Sequence, residues 1–182
     1  DIEKVIPLKI QYFPVNINKF KPIINSGRNK VFIYFKRRKS EELNLIVNFL
    51  KTKNVDYKIF DYVKKYKEED YLNYLQKSKY GIILDAHESQ GFAIEEALSC
   101  NVPLLVWNVR SMAQEEGARY QAIPATSIPY WDKNCGEFFY NKNELKYKYN
   151  EFISKLDTYT PRNFVINNLS VEKCAENFKT LL

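Results

Sequence analysis

The sequence predicts an α/β fold, a parallel sheet with helices on both faces, and three observations carry that expectation. Continuous apolar runs of strand length occur at residues 31–35, 80–84 and 104–107, as expected of parallel strands buried on both sides. Segments whose apolar residues recur at helical spacing lie between them, and the connections are short. Pro103 opens the third run and no proline interrupts any of them.

The elements follow in order. Residues 9–13 are expected as a first strand, followed by a polar, proline-flanked stretch over 14–22 and a turn cluster over 25–29. Behind the strand at 31–35, Ser40 offers an N-cap, and Glu41 and Glu42 suit a positive helix start. Leu43, Ile46, Val47 and Leu50 then make an apolar face to about Thr52. A strand at 57–60 precedes a helix opened by Glu68, Glu69 and Asp70 and carrying Tyr71, Leu72 and Leu75. The strand at 80–84 leads to a helix over 89–100, then to the strand at 104–107. Residues 108–140 read as irregular, with short strands near 121–123 and 137–139. Leu145, Tyr149, Phe152, Ile153 and Leu156 recur at helical spacing. A last helix behind Ser170 places Val171, Cys174, Ala175, Phe178 and Leu181 on one face.

Composition narrows the function classes. A chain of 182 residues with 45% hydrophobic side chains is expected to form one domain over 1–182. No apolar run is long enough to span a membrane, and residues 1–20 show no leader-like apolar segment. Cys100, Cys135 and Cys174 form no C-x-x-C pair and His87 is the only histidine. That argues against structural zinc and a disulfide framework and for a reducing, cytoplasmic setting, with the cytoplasmic face of a membrane left open. The net charge of +6 is spread as scattered lysines. It favours anionic ligands in general. A nucleic-acid binder would concentrate them on one element among exposed aromatics, so no nucleic-acid partner is expected.

In sheets of this kind ligands bind beyond the carboxyl ends of the strands, where helices begin. A helix start offers unpaired N–H groups and partial positive charge, both favourable to phosphate. Ser89, Gln90, Gly91 and Phe92 lie at that place, and Gly91 lets a diphosphate approach the backbone. From the loop, Glu88 is expected to point into the crevice. Glu96, about two turns along, can accept hydrogen bonds from a vicinal diol. The plainer alternative makes Glu95 and Glu96 solvated helix residues, but Gly91 between the two glutamates and Pro103 behind them favour a site. The cluster Lys36-Arg37-Arg38-Lys39 ends a buried strand, where it reads as phosphate binding before it reads as a solvated basic turn.

Glu88 to Glu96, continued by Ala97-Leu98-Ser99 and Val102-Pro103, resembles the Glu-x7-Glu signature of retaining GT-B glycosyltransferases, especially family 4. The usual form there is E-G-F-G-x-x-x-x-E-A-M-A-x-G-x-P. This chain has Ser89-Gln90-Gly91 for Gly-Phe-Gly, and Asn101 where glycine is usual. Upstream, residues 14–22 are similar to the family's interlobe passage, N-G-V-D-x-x-x-F-x-P, and residues 31–37 to its next strand, which ends in Gly-Arg.

The resemblance implies one Rossmann-like lobe of a GT-B fold, with residues 1–22 as first strand and interlobe passage and the acceptor lobe elsewhere, in the same or another chain. It implies transfer of a sugar from a nucleotide diphosphate sugar to a hydroxyl of a glycan, glycoprotein or lipid, with anomeric retention and without a metal or other cofactor. Arg37 takes the place of the family's phosphate-binding arginine and Glu88 that of its sugar-binding glutamate, as the catalytic pair. The family's lysine five residues on is Glu42 here, leaving Lys36, Arg38 or Lys39 to supply a second charge. Glu96 would hold the ribose, Tyr62 lies where the family places its base, and His87 stands beside the donor loop. The loop over 124–131 either covers the site or packs on a neighbour. A nucleotide-sugar-binding module without activity, or an epimerase lobe of the same fold, is the alternative.

Overall fold

The protein, seen in a computed structural model, is described over residues 11–23 and 27–180. Five parallel strands form one sheet in the order β2-β1-β3-β4-β5. They are β1 (Lys30–Lys36), β2 (Lys58–Asp61), β3 (Ser78–Asp85), β4 (Leu104–Trp107) and β5 (Gly136–Phe139). The helices are α1 (Ser40–Thr52), α2 (Glu68–Leu75), α3 (Phe92–Ser99), α4 (Leu145–Ser154), α5 (Pro161–Leu169) and α6 (Val171–Lys179).

The strand runs look uniformly apolar because each buries both faces, yet the side chains alternate. On β1, Phe32 and Tyr34 join Phe60, Tyr71, Leu75, Ile94, Leu98 and Val165, so α2, α3 and α5 cover that face. Val31 and Ile33 join Ile46, Leu50, Ile82, Leu105 and Phe152 beneath α1 and α4. Gly81 on β3 carries no side chain because the Phe32 ring lies over it. A Cβ there would stand 2.2 Å from Phe32 Cζ.

The order of the strands decides where a ligand can bind. From β1 the chain crosses to β2 on one side, and from β3 onward it proceeds the other way. The connections at the carboxyl ends of β1 and β3 therefore diverge and leave a crevice, the topological switch point. Lys36 and Asp85, paired in register, end the two strands there.

Several sequence expectations are corrected. Residues 9 and 10 of the first expected strand lie outside the described residues, and 11–13 join no sheet. Residues 25 and 26 of the expected turn, and Leu181, also lie outside them. Ser40 is the first residue of α1 rather than its cap, and Lys39 precedes it without a side-chain capping bond. No strand forms at 121–123; an isolated antiparallel bridge joins Ser111 to Pro124 instead. The strand near 137–139 is present as β5. Leu156 falls in a 3-10 turn beyond α4. On α6 only Cys174 is buried, and Val171 and Phe178 are exposed.

Helix α5 was not foreseen. Its signal was Pro161 at the first turn, ahead of Phe164, Val165, Ile166 and Leu169, of which Val165 and Leu169 are buried. Arg162 on it donates to the carbonyls of Ser99, Phe20 and Ile17. Arg28 does the same for Cys100 and Asn101. Asn101 itself adopts φ 57°, the left-handed conformation that suits glycine and that asparagine tolerates better than most residues. Asparagine here therefore ends α3 without a glycine.

Candidate functional site

A crevice of about 630 Å³ opens at the switch point. Lys36 and Tyr34 of β1, Tyr62, Lys65 and Tyr66 of the loop after β2, and Glu68 at the start of α2 form one side. Glu88 to Ala93 and Glu96 form the other. Of the residues expected from sequence, the crevice gathers Lys36, Tyr62, Glu88, Ser89, Gln90, Gly91, Phe92 and Glu96. Tyr34 was legible in principle, since it shares a strand face with Lys36 two residues on.

The helix start is built by its glycine. Gly91 precedes α3 with φ 82° and ψ 47°, a conformation costly to residues with a Cβ. The helix therefore begins three residues later than expected, and Ser89 and Gln90 are loop. From behind, the Glu88 N–H donates to the Thr126 carbonyl (3.0 Å), and Tyr130 Oη reaches the Ser89 carbonyl (3.3 Å). Ser127 Oγ donates to the carbonyls of Asp85 and Ala86. The 124–131 loop thus props the 85–89 turn rather than covering the crevice.

The first three of the four consecutive basic residues at the end of β1 go to three different places. Lys36 Nζ enters the crevice, bonded to Glu88, 3.9 Å from Asp85 Oδ1 and 5.0 Å from the centre of the Tyr62 ring. Arg37, expected to grip a diphosphate, does not line the crevice. Its backbone turns to φ 49°, and its side chain donates to Glu115 (2.7 Å). Arg38, another expected donor contact, is 3% exposed and fully engaged. It makes a two-bond contact with Glu42 and donates to the carbonyls of Asp85 and Trp107. Glu42 is thus the buried arginine's counter-ion. His87 also lies outside the lining. Its Nδ1 is 3.2 Å from Glu115, and its ring meets Tyr120 edge-on.

Burial shapes the charge of the acids. It raises the Glu96 carboxyl to about 7, with Glu68 adding to the rise and Lys19 opposing it. Glu95, read as one of a solvated pair in the plainer alternative, is 1% exposed and accepts from the Gln90 amide (2.6 Å). Gln90 in turn holds the Phe13 backbone. Burial lifts the Glu95 carboxyl to about 8; Gln90 pulls it down, and Glu96 and Glu88 add to the rise.

A carboxyl raised in this way binds its proton more tightly folded than unfolded. Both states hold the proton below the ordinary value of 4.5. Between there and about 8 the unfolded chain gains by ionising, so stability falls as pH rises, and above that the loss is constant. Glu95→Gln is therefore expected to raise stability at pH 9 by about 1–2 kcal/mol, with the gain gone near pH 4. Urea unfolding at the two pH values checks this, and an equal effect at both would refute it.

All three cysteines are buried free thiols. Among the described residues no group of three or more His, Cys, Asp or Glu side chains is placed to hold a metal ion, and no helix is long and apolar enough to cross a membrane.

No protein-family model matches the sequence, and no curated protein matches it significantly. Solved structures share its fold. The carboxyl-terminal domain of a glycosyl transferase group 1 family protein (LpcC) from Francisella tularensis superposes with a TM-score of 0.54 at 11% identity, over 86% of this chain and 99% of that one. Sucrose-phosphate synthase from Thermosynechococcus elongatus gives 0.54 at 12%, over 93% of this chain and 50% of that one. The lipopolysaccharide outer core galactosyltransferase WaaB gives 0.56 at 10%, over 94% and 54%. The chain spans one whole isolated domain and about half of the two longer proteins. Its fold is that of a Rossmann-like GT-B lobe.

Proposed function

We propose that this lobe binds the donor of a retaining glycosyltransferase, a nucleotide diphosphate sugar whose sugar passes to an acceptor hydroxyl on a glycan, glycoprotein or lipid. One observation carries the reading. Glu88 and Glu96, with a left-handed Gly91 between them, line one crevice with Lys36 at the switch point. The α3 start and the Lys36 ammonium are suited to the diphosphate. Glu96, half-buried about one turn into α3, is suited to the ribose diol, and Glu88 to sugar hydroxyls. Tyr62 and Tyr66 offer ring faces for a base.

In this reading Lys36 and the N–H groups ahead of α3 offset the charge that builds on the leaving diphosphate. Lys65 adds charge at the mouth. Those groups supply the positive potential without a metal ion. The acceptor belongs to a second lobe, since the longer structures of the same fold are about twice this length. Free cysteines suit a cytoplasmic setting.

Calorimetric titration with UDP, GDP and ADP and their hexose conjugates tests the reading. Saturable binding with a preference for one base is expected. Glu96→Ala should weaken the bare diphosphate about tenfold, while Glu88→Ala should remove mainly the extra affinity of the sugar conjugate. Absence of binding to all of them, or identical affinities in both variants and wild type, would overturn it.

A further inference from the structure

Asp85 has no part in the roles assigned above, yet it is the most deeply buried acid at the crevice, 0% exposed at the end of β3. Its backbone is fixed, because Arg38 and Ser127 both donate to its carbonyl. Neither of its carboxyl oxygens accepts a hydrogen bond from any donor group. Its polar neighbours are the Lys36 ammonium, 3.9 Å away across the β1–β3 register, and the adjacent Glu88 carboxyl. An acid placed so in a dry strand end is costly unless something else there depends on it.

We propose that Asp85 is a positioning residue of this site, setting where the Glu88 carboxyl and the Lys36 ammonium stand beneath a bound diphosphate. The identity of the ligand rests on the reading above; the arrangement of the three side chains does not. One ammonium cannot neutralise two carboxylates at a buried strand end, and Lys36 is bonded to Glu88. Two carboxyl groups side by side pair only through a shared proton. Retained on Asp85, that proton makes a chain in which Asp85 donates to Glu88 and Glu88 accepts from Lys36, and each acid is then partnered.

Electrostatics point the same way. Burial raises the Asp85 carboxyl well above the usual range, and the neighbouring Glu88 carboxyl adds to this. Lys36 and the Ala86 N–H pull against it. The other titratable groups facing Asp85 are Tyr34 on β1 and Tyr66 on the loop before α2, both kept neutral by burial. When a diphosphate draws on the Lys36 ammonium, Glu88 keeps Asp85 as its donor, so no second negative charge appears beneath the ligand.

The decisive measurement is the carboxyl titration of the ligand-free chain by carbon-13 NMR between pH 4 and 9. A protonated Asp85 carboxyl persisting at pH 7, absent from Asp85→Asn, is expected; titration near the ordinary value of 3.8 would overturn the inference. The binding arm uses whichever of UDP, GDP or ADP binds. Asp85→Asn keeps a neutral donor and should hold affinity within about threefold, whereas Asp85→Val should lose about tenfold. Affinity should also fall more steeply with alkaline pH in wild type than in Asp85→Asn, where only the other acids of the site titrate. Equal losses in the two variants would overturn it. If no nucleotide binds, the proposed function fails while the carboxyl titration still decides the role of Asp85.

Discussion

Arg38→Ala is expected to lower the stability of the chain by about 3–5 kcal/mol, the usual cost of breaking a buried ion pair from one side. The guanidinium lies at the junction of three strand ends. It joins the turn after β1 to Glu42 on α1, and to the last carbonyls of β3 and β4, with its Cζ 5.6 Å from the centre of the Trp107 ring. Removing it leaves Glu42 without its counter-ion and costs two buried carbonyls a donor each. At about 2–4 °C per kcal/mol for a chain of this size, the melting temperature should fall by roughly 10 °C. Arg38→Lys should recover only part, because a single ammonium cannot reproduce a planar fork serving three acceptors. Urea unfolding reads the loss as a lower midpoint at unchanged slope. A change below about 0.5 kcal/mol would show that the network contributes nothing.

The second large effect concerns binding. Lys36→Met is expected to weaken a nucleoside diphosphate by about 10- to 100-fold, the worth of one charge-assisted contact in a partly dry crevice. Arg37→Ala should weaken it less than about threefold, since that side chain is half exposed and held by Glu115 outside the lining. Calorimetry of the two variants side by side separates them. A larger loss from Arg37 than from Lys36 would restore the arginine to the phosphate and remove the lysine from it. Raised salt should also reduce the wild-type affinity more than that of Lys36→Met.

Lys36, Arg37 and Arg38 belong to one basic run, and no pattern in that run tells them apart. Strands β1, β3 and β4 were legible because a run of four or more apolar residues ending at a polar residue has few other uses. The spacing of Glu88, Gly91 and Glu96 was legible because a loop, a glycine and about one helical turn bring both acids to one crevice through local geometry alone. Helix α5 was not, because within its nine residues the adjacent Phe164, Val165 and Ile166 show no clear helical period, and Arg162 anchors it through hydrogen bonds to distant carbonyls. The false strand at 121–123 arose from short apolar stretches with no neighbouring strand to pair with.

The sequence by itself determined the α/β class, the parallel strands and the two glutamates that share the crevice. These follow from apolar periodicity and from short-range spacing, which a linear reading contains. Only the tertiary structure decided which cation enters the crevice, which is spent on the fold, and that Asp85 lies buried beneath Lys36 and Glu88. At Arg37 the backbone leaves the strand with positive φ, so the alternation that would assign the side chains of residues 36–38 ends there. Their destinations are then set by Glu88, Glu115 and the carbonyls of Asp85 and Trp107, partners 47 to 78 residues away in the chain. Electrostatic partners at that separation leave no local pattern to read.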